Sequence, residues 1–454
     1  MRNFNKLRNI LIASVVFATI SGVSTAGAET LDAALVWAYR GNPTLNAERA
    51  KLRATDELVP QALSGWRPTV NAQGSLGHEW ANTSGGGSSE LNPANLSIAL
   101  NQPLFRGFQT VEGTAVAEAN VKAERQQLLA VEQTTLFNAV QAYMNVIRDR
   151  NILSLRNKNV GVLSGQLKAS QARFNAGELT RTDVAQSRAS LDGAQAQAAV
   201  AIANVKASEA NYLTVMGKVP GKLVVPHLAQ RPGSLDNALN IAQATNPNIL
   251  AAAQVEDAAE HNIGLIQGSL LPQLNLQATG SMSREASGGG SSASTAIVQG
   301  VLSVPIYEGG KVYSQVRQAK QVASQNRVQI IAAVRAVREG VTVAWNNVTS
   351  VGQSVAANRA QVSASKLALD GVQQEYKVGS RSTIDVLNAE QALLTAQISE
   401  VSAEHDQTVA SYQLLAAMGE LTAQHLHLGQ IYNAQENYND VRNKWIGLNA
   451  ETGQ

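Results

Sequence analysis

The chain has 454 residues, no cysteine, 4% aromatic residues and a formal net charge of +2. The lack of cysteine excludes a disulfide framework and a thiolate metal site, and the near-neutral charge gives no support to nucleic-acid binding. With so few large side chains a thick central core is not expected, and closely packed helices rich in small residues fit the composition better.

The first predicted element is a targeting segment. Three basic residues within the first nine positions precede an apolar run over 10–20, and an A-x-A cleavage pattern ends at Ala28. This order predicts a secretory signal peptide over 1–28. A transmembrane anchor is the weaker alternative, because the run is about half of the roughly 20 residues that span a bilayer. Without this segment the chain has 33 basic and 34 acidic residues, a formal charge of −1.

The rest of the chain repeats itself at a spacing of about 202–204 residues. The paired motifs include LDAAL at 31–35 and LDNAL at 235–239, PLFRG at 103–107 and PIYEG at 305–309, and MG at 216–217 and 418–419. The pattern predicts one duplicated structural unit. We divide the chain into a first repeat over 29–217, a linker over 218–234, a second repeat over 235–419 and a polar C-terminal segment over 420–454.

Each repeat begins with short helices. In the segment that follows, apolar residues recur at every second position. The alternation of apolar and polar residues predicts β-hairpins at about 68–104 and 272–306, each joined by a Gly/Ser tract, at 84–89 and 287–292. Strands of about ten residues suit a bilayer when tilted. Because a sheet in lipid must close, four strands are too few unless several chains pool them. The alternative is a soluble α+β domain, which leaves the helices that follow unexplained.

Those helices are predicted from two stretches without proline. Each covers about 67 positions, over 108–174 and 310–376, and is roughly 100 Å long at 1.5 Å per residue. Each stretch breaks near a glycine, Gly177 or Gly379, and a second helix returns to about 216 or 418. In the first repeat, small residues recur every seven positions from Ser187 to Ser208, which predicts a closely packed coiled coil. The alternative is an ordinary amphipathic bundle helix.

The order of elements and the two turns resemble the TolC family of outer-membrane efflux and secretion ducts. The turns read ARFNAGELTRTDV at 172–184 and YKVGSRSTIDVLNA at 376–389, and the likeness covers nearly the whole chain after the signal segment. The resemblance implies a mixed α and β fold in a homotrimer. Long antiparallel coiled-coil helices would form a periplasmic α-barrel, and four strands per chain would pool into a twelve-stranded transmembrane β-barrel.

The resemblance also implies a function and partners. The trimer would be a passive exit duct in the outer membrane of a Gram-negative bacterium, with its helices in the periplasm. It would export drugs, toxic compounds or proteins, in multidrug efflux or type I secretion. Its partners would be outer-membrane lipid, a periplasmic adaptor and an inner-membrane pump of the RND or ABC type, and no nucleic acid. A soluble periplasmic coiled-coil adaptor and an autonomous porin are the alternatives.

Nothing in the sequence predicts an enzyme. The sequence lacks the phosphate-binding loop, the G-x-S-x-G elbow and the H-E-x-x-H zinc motif. The only close histidine pair is His425 and His427, and a third ligand is missing nearby, so we predict a surface loop there. We therefore expect no metal and no cofactor.

By position in the family's turns, the resemblance implies a gate at the periplasmic end. Arg381 would pair with Thr182 and Asp183 of a neighbouring subunit. Tyr376 would bond to Asp183 within its own subunit. These bonds would hold the coiled coils of the closed duct together.

Asp385 would point into the constriction and form a ring of three carboxylates in the trimer. Crowded carboxylates attract cations and repel each other. The family's better-known members have a second Asp where this chain has Asn388, so a weaker block by cations is expected. The turn sequences alone allow a simpler interpretation of Asp183 and Asp385: residues 180–183 and 382–385 are both S/T-x-x-D sequences, which cap helices. The family match favours the gate for Asp385, and one residue can serve both roles.

Overall fold

A computed structural model describes residues 29–85, 87–285 and 290–450. The predicted signal peptide and residues 287–289 of the second Gly/Ser tract lie outside these residues. In chain order the elements are α1 (Leu31–Gly41), α2 (Pro43–Asp56), α3 (Leu58–Leu63), β1 (Thr69–Leu76), β2 (Glu79–Thr83), β3 (Gly87–Leu91), β4 (Ala94–Arg106), α4 (Gln109–Asn175), α5 (Arg181–Met216), α6 (Leu235–Thr245), α7 (Pro247–Gln267), β5 (Gln273–Arg284), β6 (Ser292–Ser303), α8 (Lys311–Lys377), α9 (Thr383–Met418) and α10 (Glu436–Val441).

The long helices and the returning helices of the two halves correspond in length. The long helices α4 and α8 have 67 residues each, and the returning helices α5 and α9 have 36 each. At 1.5 Å per residue, the long helices extend for roughly 100 Å. The pairs α4–α5 and α8–α9 pack side by side, with α7 between α4 and α8. None of the described helices has an apolar stretch that would allow it to span a bilayer.

The helix that begins after Asn42 is divided in the first half, whereas its counterpart in the second half is continuous. It ends at Asp56, and α3 begins at Leu58. Pro60 explains the break, because proline has no N–H for the carbonyl of Asp56 four residues earlier and its ring crowds that carbonyl. The corresponding helix α7 has no proline after its first residue and runs unbroken.

One antiparallel sheet combines strands of both halves in the order β1-β4-β5-β6. Ile98 on β4 lies opposite Ala72 on β1 and Gly280 on β5, and Gly280 lies opposite Ala296 on β6. Residues that lie opposite each other point to the same face, so the apolar positions of all four strands share one face. Ser97 and its partners form the polar face. The edges β1 and β6 have no neighbouring strand within the described part of the chain.

The hairpin predicted over about 68–104 is present, because β1–β4 and β2–β3 pair in one continuous antiparallel register, but its ladder is interrupted at 77–78 and 92–93. The strands β2 and β3 form a separate two-stranded ribbon beyond the sheet. The interruption falls where Gly77 N donates to Pro93 O at 2.8 Å, because Pro93 has no N–H for the ladder. The last strand ends at Ser303, so Val304, which the alternation placed in the strand, lies just outside it.

The main hydrophobic core lies about halfway along the long helices, where α1, α2, α4, α5, α6, α8 and α9 meet. Its most deeply buried large side chains include Leu35, Leu45, Leu52, Leu136, Tyr143, Tyr212, Leu414 and Met418. Below this core the helices are joined by thinner contacts between small side chains. The α5 heptad positions Ser187, Ala194, Ala201 and Ser208 are all buried, as the coiled-coil pattern predicted, and Ser187 Oγ lies 3.1 Å from Ser170 Oγ of α4.

The C-terminal residues 420–450, here called the C-terminal strap, follow the outside of α2 and α4. The amide of Ala423 donates to Glu132 at 2.6 Å, and Asn437 Nδ2 on α10 donates to Asp56 at 2.8 Å. The polarity of this segment therefore satisfies buried carboxylates on the helices.

Candidate functional site

The predicted gate residues lie at the end of the helices that is farthest from the sheet. The first turn, residues 176–180, joins α4 to α5. Gly177 has a φ of +82°, the left-handed conformation that favours glycine, and Glu178 N donates to Arg173 O at 2.9 Å. Thr180 then caps α5. Its amide and hydroxyl donate to Asp183 Oδ2 at 3.0 and 2.7 Å, and Asp183 N donates to Thr180 Oγ1 at 3.3 Å.

The second turn, residues 378–382, joins α8 to α9 with the same geometry. Gly379 also has a φ of +82°. Ser382 N and Oγ donate to Asp385 Oδ2 at 2.9 and 2.7 Å. Each Asp thus belongs to a capping box. In this motif the hydroxyl of the cap residue accepts from the backbone N–H of the Asp, and the Asp carboxylate accepts from the backbone N–H of the cap residue. The capping role predicted from S/T-x-x-D is present in both turns.

These hydrogen bonds keep both carboxylates ionised. The pKa of Asp385 is lowered, first by the Ser382 hydroxyl, then by the Ser382 amide and the charge of Arg381. The pKa of Asp183 is lowered by the same two groups of Thr180. A carboxylate that accepts hydrogen bonds is stabilised in its charged form. Each protomer therefore has one negative charge at the start of α5 and another at the start of α9.

The two turns contact each other within the protomer. The guanidinium of Arg173, at the end of α4, stacks 4.9 Å from the centre of the Tyr376 ring, at the end of α8. The Tyr376 hydroxyl lies 3.3 Å from Thr383 Oγ1. In the protomer Thr180 donates to Asp183, and the Tyr376 hydroxyl lies beside Thr383, so the expected bond from Tyr376 to Asp183 is not among the contacts of the described residues.

Arg381 also has a partner within its own turn. Its Nε donates to Glu375 at 2.7 Å, and the corresponding pair in the first turn joins Arg173 to Glu178 at 3.0 Å. Arg173 and Glu375 occupy corresponding positions of the repeat with opposite charge. Sequence reasoning named neither acid. The signal was available, since an acid and a base flank each glycine in both turns.

The two remaining site residues are exposed. Thr182 lies on the first turn of α5, and Asn388 faces a groove of about 490 Å³ between the helix pair α4–α5 and helix α9. The same groove is lined by Arg156 of α4, Ser190 of α5 and Gln391 of α9. All six predicted site residues are therefore at one end of the molecule. Asp385 and Asn388 lie one turn apart on α9.

These features define a class of protein. A sheet with one apolar face sits at one end of a roughly 100 Å shaft of antiparallel helices, and two capped, charged turns lie at the other end. A protomer of an outer-membrane channel has this architecture.

Comparison with known proteins identifies the family. The model of the family described as "Outer membrane efflux protein" matches residues 36–218 and 238–420. The chain belongs to this family, and it is an outer-membrane efflux or secretion channel of a Gram-negative bacterium. The family consists of channels and not of enzymes.

Individual relatives cover nearly the whole chain. The outer membrane efflux protein BepC of Brucella suis biovar 1 (strain 1330) is 40% identical over 455 residues, which cover 99% of both chains. The outer membrane protein TolC of Escherichia coli (strain K12) is 26% identical over 440 residues, covering 92% of this chain and 87% of TolC. The crystal structure of the Campylobacter jejuni CmeC outer membrane channel has the same fold. Its TM-score is 0.77 at 16% identity, covering 91% of this chain and 89% of CmeC.

Proposed function

We propose that three copies of this chain form a passive export duct that opens at the two turns. One observation carries the proposal: the four-stranded sheet has a continuous apolar face and two edges without a partner strand in the described residues. Unpaired backbone groups are very costly in lipid, so such a sheet must close. Four strands from each of three copies would make a twelve-stranded barrel, within the range of known membrane barrels.

The proposed role of each segment of the chain follows from the internal repeat. Residues 29–217 and 235–419 would act as equivalent segments of the wall of the duct. The polar C-terminal segment would surround the middle of the duct, with its last described residues reaching the base of the sheet at Arg67. The helical shaft would cross the periplasm toward an adaptor and an inner-membrane pump of the RND or ABC type. The word efflux in the name of BepC supports small toxic molecules as cargo, and protein secretion remains the second cargo class.

The proposed gate is formed by the two turns. Arg381 and Thr182 are exposed on the protomer, so both are accessible to a neighbouring subunit. In the trimer, Arg381 would leave Glu375 for Thr182 and Asp183 of its neighbour. Three Asp385 carboxylates would meet at the axis. Their mutual repulsion would raise the pKa of Asp385 from the lowered value of the single protomer, and their charge would favour cations. With Asn388 one turn further, the ring would hold about half the charge of a double ring.

Single-channel conductance in planar bilayers tests the duct and the gate together. We expect Arg381→Ser to raise conductance severalfold, because the turn loses its only proposed intersubunit cation. Asp385→Asn should reduce the preference for cations over anions. Arg327→Ser is the matched control, because Arg327 is an exposed arginine paired with Glu256 and Glu260 outside the turns, and it should leave conductance unchanged.

The two possible failures differ. If Arg381→Ser conducts like the unmodified protein, the turn has only a structural role. If the unmodified protein forms no pores at any pH, the duct itself is rejected.

A further inference from the structure

The C-terminal strap runs toward the sheet along one stripe of α4. Its contacts on α4 are Glu132, Arg125 and Glu118, which are seven residues apart and therefore lie on one helix face. Ala423 N bonds to Glu132 at 2.6 Å, the Arg125 guanidinium lies 5.1 Å from the centre of the Tyr438 ring, and Arg442 bonds to Glu118 at 3.0 Å. From Glu132 to Glu118 the strap rises by roughly 21 Å along α4. Since α4 begins just after the end of β4, a strap that runs toward the start of α4 approaches the base of the sheet.

The end of the strap is fixed at that base. Arg67, two residues before β1, donates to Lys444 O at 2.9 Å, and its guanidinium lies 4.9 Å from the centre of the Trp445 ring. Trp66 is bound in turn to the sheet, because Gln102 Nε2 of β4 donates to Trp66 O at 2.9 Å. Trp445 therefore lies at the level where the lipid-facing strands begin.

The chain beyond this anchor presents apolar side chains outward. Trp445 is 67% exposed, Ile446 92% and Leu448 101%. Residues 442–450 include two basic residues and no acidic one. Other large apolar side chains at the base of the sheet, Trp66 and Ile306, are also exposed. Aromatic residues and basic residues with an apolar neighbour are typical of the boundary between lipid and water.

We propose that residues 444–448 are a second membrane contact, in which Trp445, Ile446 and Leu448 enter the headgroup boundary of the periplasmic phospholipid leaflet. Lys444 and Arg67 then lie at the level of the anionic phosphates. Arg67 ties this segment to the start of β1, so a bilayer that holds the sheet also reaches residues 444–448. The contact fastens the strap, and through it the first third of α4, to the membrane. It rests on the proposed function in one respect, that the sheet lies in lipid.

The lack of cysteine in the chain makes a clean test possible. The full-length protein is prepared as Ile446→Cys, Leu448→Cys and Ile431→Cys, and each is labelled with a nitroxide. Ile431 is the matched control, an exposed isoleucine of the same strap beside Tyr432, whose amide contacts Tyr39 in the helical region. The proteins are placed in vesicles of phosphatidylethanolamine and phosphatidylglycerol. Collision of the label with oxygen, which concentrates in lipid, is compared with collision with a water-soluble nickel chelate.

We expect the oxygen-to-nickel ratio to be severalfold higher at 446 and 448 than at 431. Equal ratios overturn the proposal, because the end of the strap would then be in water. Low collision with both reagents also overturns it, because a protein surface would then cover the segment. Conductance of the same preparations separates the two proposals. Pores with equal ratios reject only the membrane contact, whereas a preparation without pores rejects the duct.

Discussion

At the scale of single residues, Glu132 makes stability depend on pH. Its side chain is 6% exposed, and burial raises its pKa despite the bond from Ala423 N and the charge of Arg49. A carboxyl whose native pKa lies above its unfolded value of about 4.3 binds protons more tightly when folded. The contribution of Glu132 to the free energy of unfolding is therefore complete below the unfolded pKa, and it is lost as pH rises through the native pKa.

We therefore expect Glu132→Gln, which keeps a carbonyl acceptor for Ala423 N, to raise the thermal midpoint at pH 7 and to leave it unchanged near pH 4. Circular dichroism melts across this range measure the difference. Glu436→Gln is the control, because Glu436 is exposed on the same strap, and its curve should follow that of the unmodified protein. If the thermal midpoint of Glu132→Gln differed from that of the unmodified protein by the same amount at pH 4 and pH 7, the raised pKa of Glu132 would be contradicted.

The residues that the sequence reveals are those whose partners are close in the chain. Asp183 and Asp385 could be placed in caps because each partner is three residues away. Glu132 could not be recognised, since its partner Ala423 is 291 residues away. The partner of Tyr376 could not be read from the sequence for the same reason: the choice between Thr383 and Asp183 depends on how two distant turns pack.

At the scale of elements, the capping boxes determine how firmly α5 and α9 begin. We expect Thr180→Ala and Ser382→Ala each to cost about 1 kcal/mol locally, which corresponds to roughly fivefold faster amide exchange in the first turn of the affected helix. Hydrogen exchange read by mass spectrometry measures this. The control is Thr395→Ala, whose exposed hydroxyl donates to Gln391 O at 2.8 Å inside α9, and which should leave the turn unchanged. Exchange that is equally fast in all variants would mean that the caps do not hold the turns.

The lengths of the elements were readable from residues that interrupt regular structure. The absence of proline predicted α4 and α8, and both have 67 residues. Proline also explains two interruptions that were not predicted, since Pro60 divides α2 from α3 and Pro93 separates the ribbon from the sheet. Those signals were in the sequence, but their effect depends on whether a neighbouring carbonyl or strand needs the missing N–H.

At the scale of the whole molecule, the sequence predicted the alternation of each strand, whereas the order of the strands required the structure. The pairing of β4 with β5 joins the two repeats into one surface. No local pattern contains this pairing, because it is set by the packing of α4, α7 and α8 beneath the sheet. The proposed number of copies rests on the resemblance, and the need to close the sheet requires only that there be more than one.

The two faces of β6 allow the membrane placement to be tested at adjacent positions. Val298, 73% exposed in the protomer, lies on the apolar face opposite Ala278, and Gln299 lies on the other face opposite Gln277. Both are near the middle of the strand, where a lysine facing lipid costs about 2–4 kcal/mol. We expect Val298→Lys to abolish or sharply reduce heat-sensitive, detergent-resistant trimers in the outer-membrane fraction. Gln299→Lys should assemble normally, because a lysine in a watery lumen keeps its hydration. If Gln299→Lys is the variant that fails, or if both assemble equally well, then the apolar face of this sheet does not face lipid.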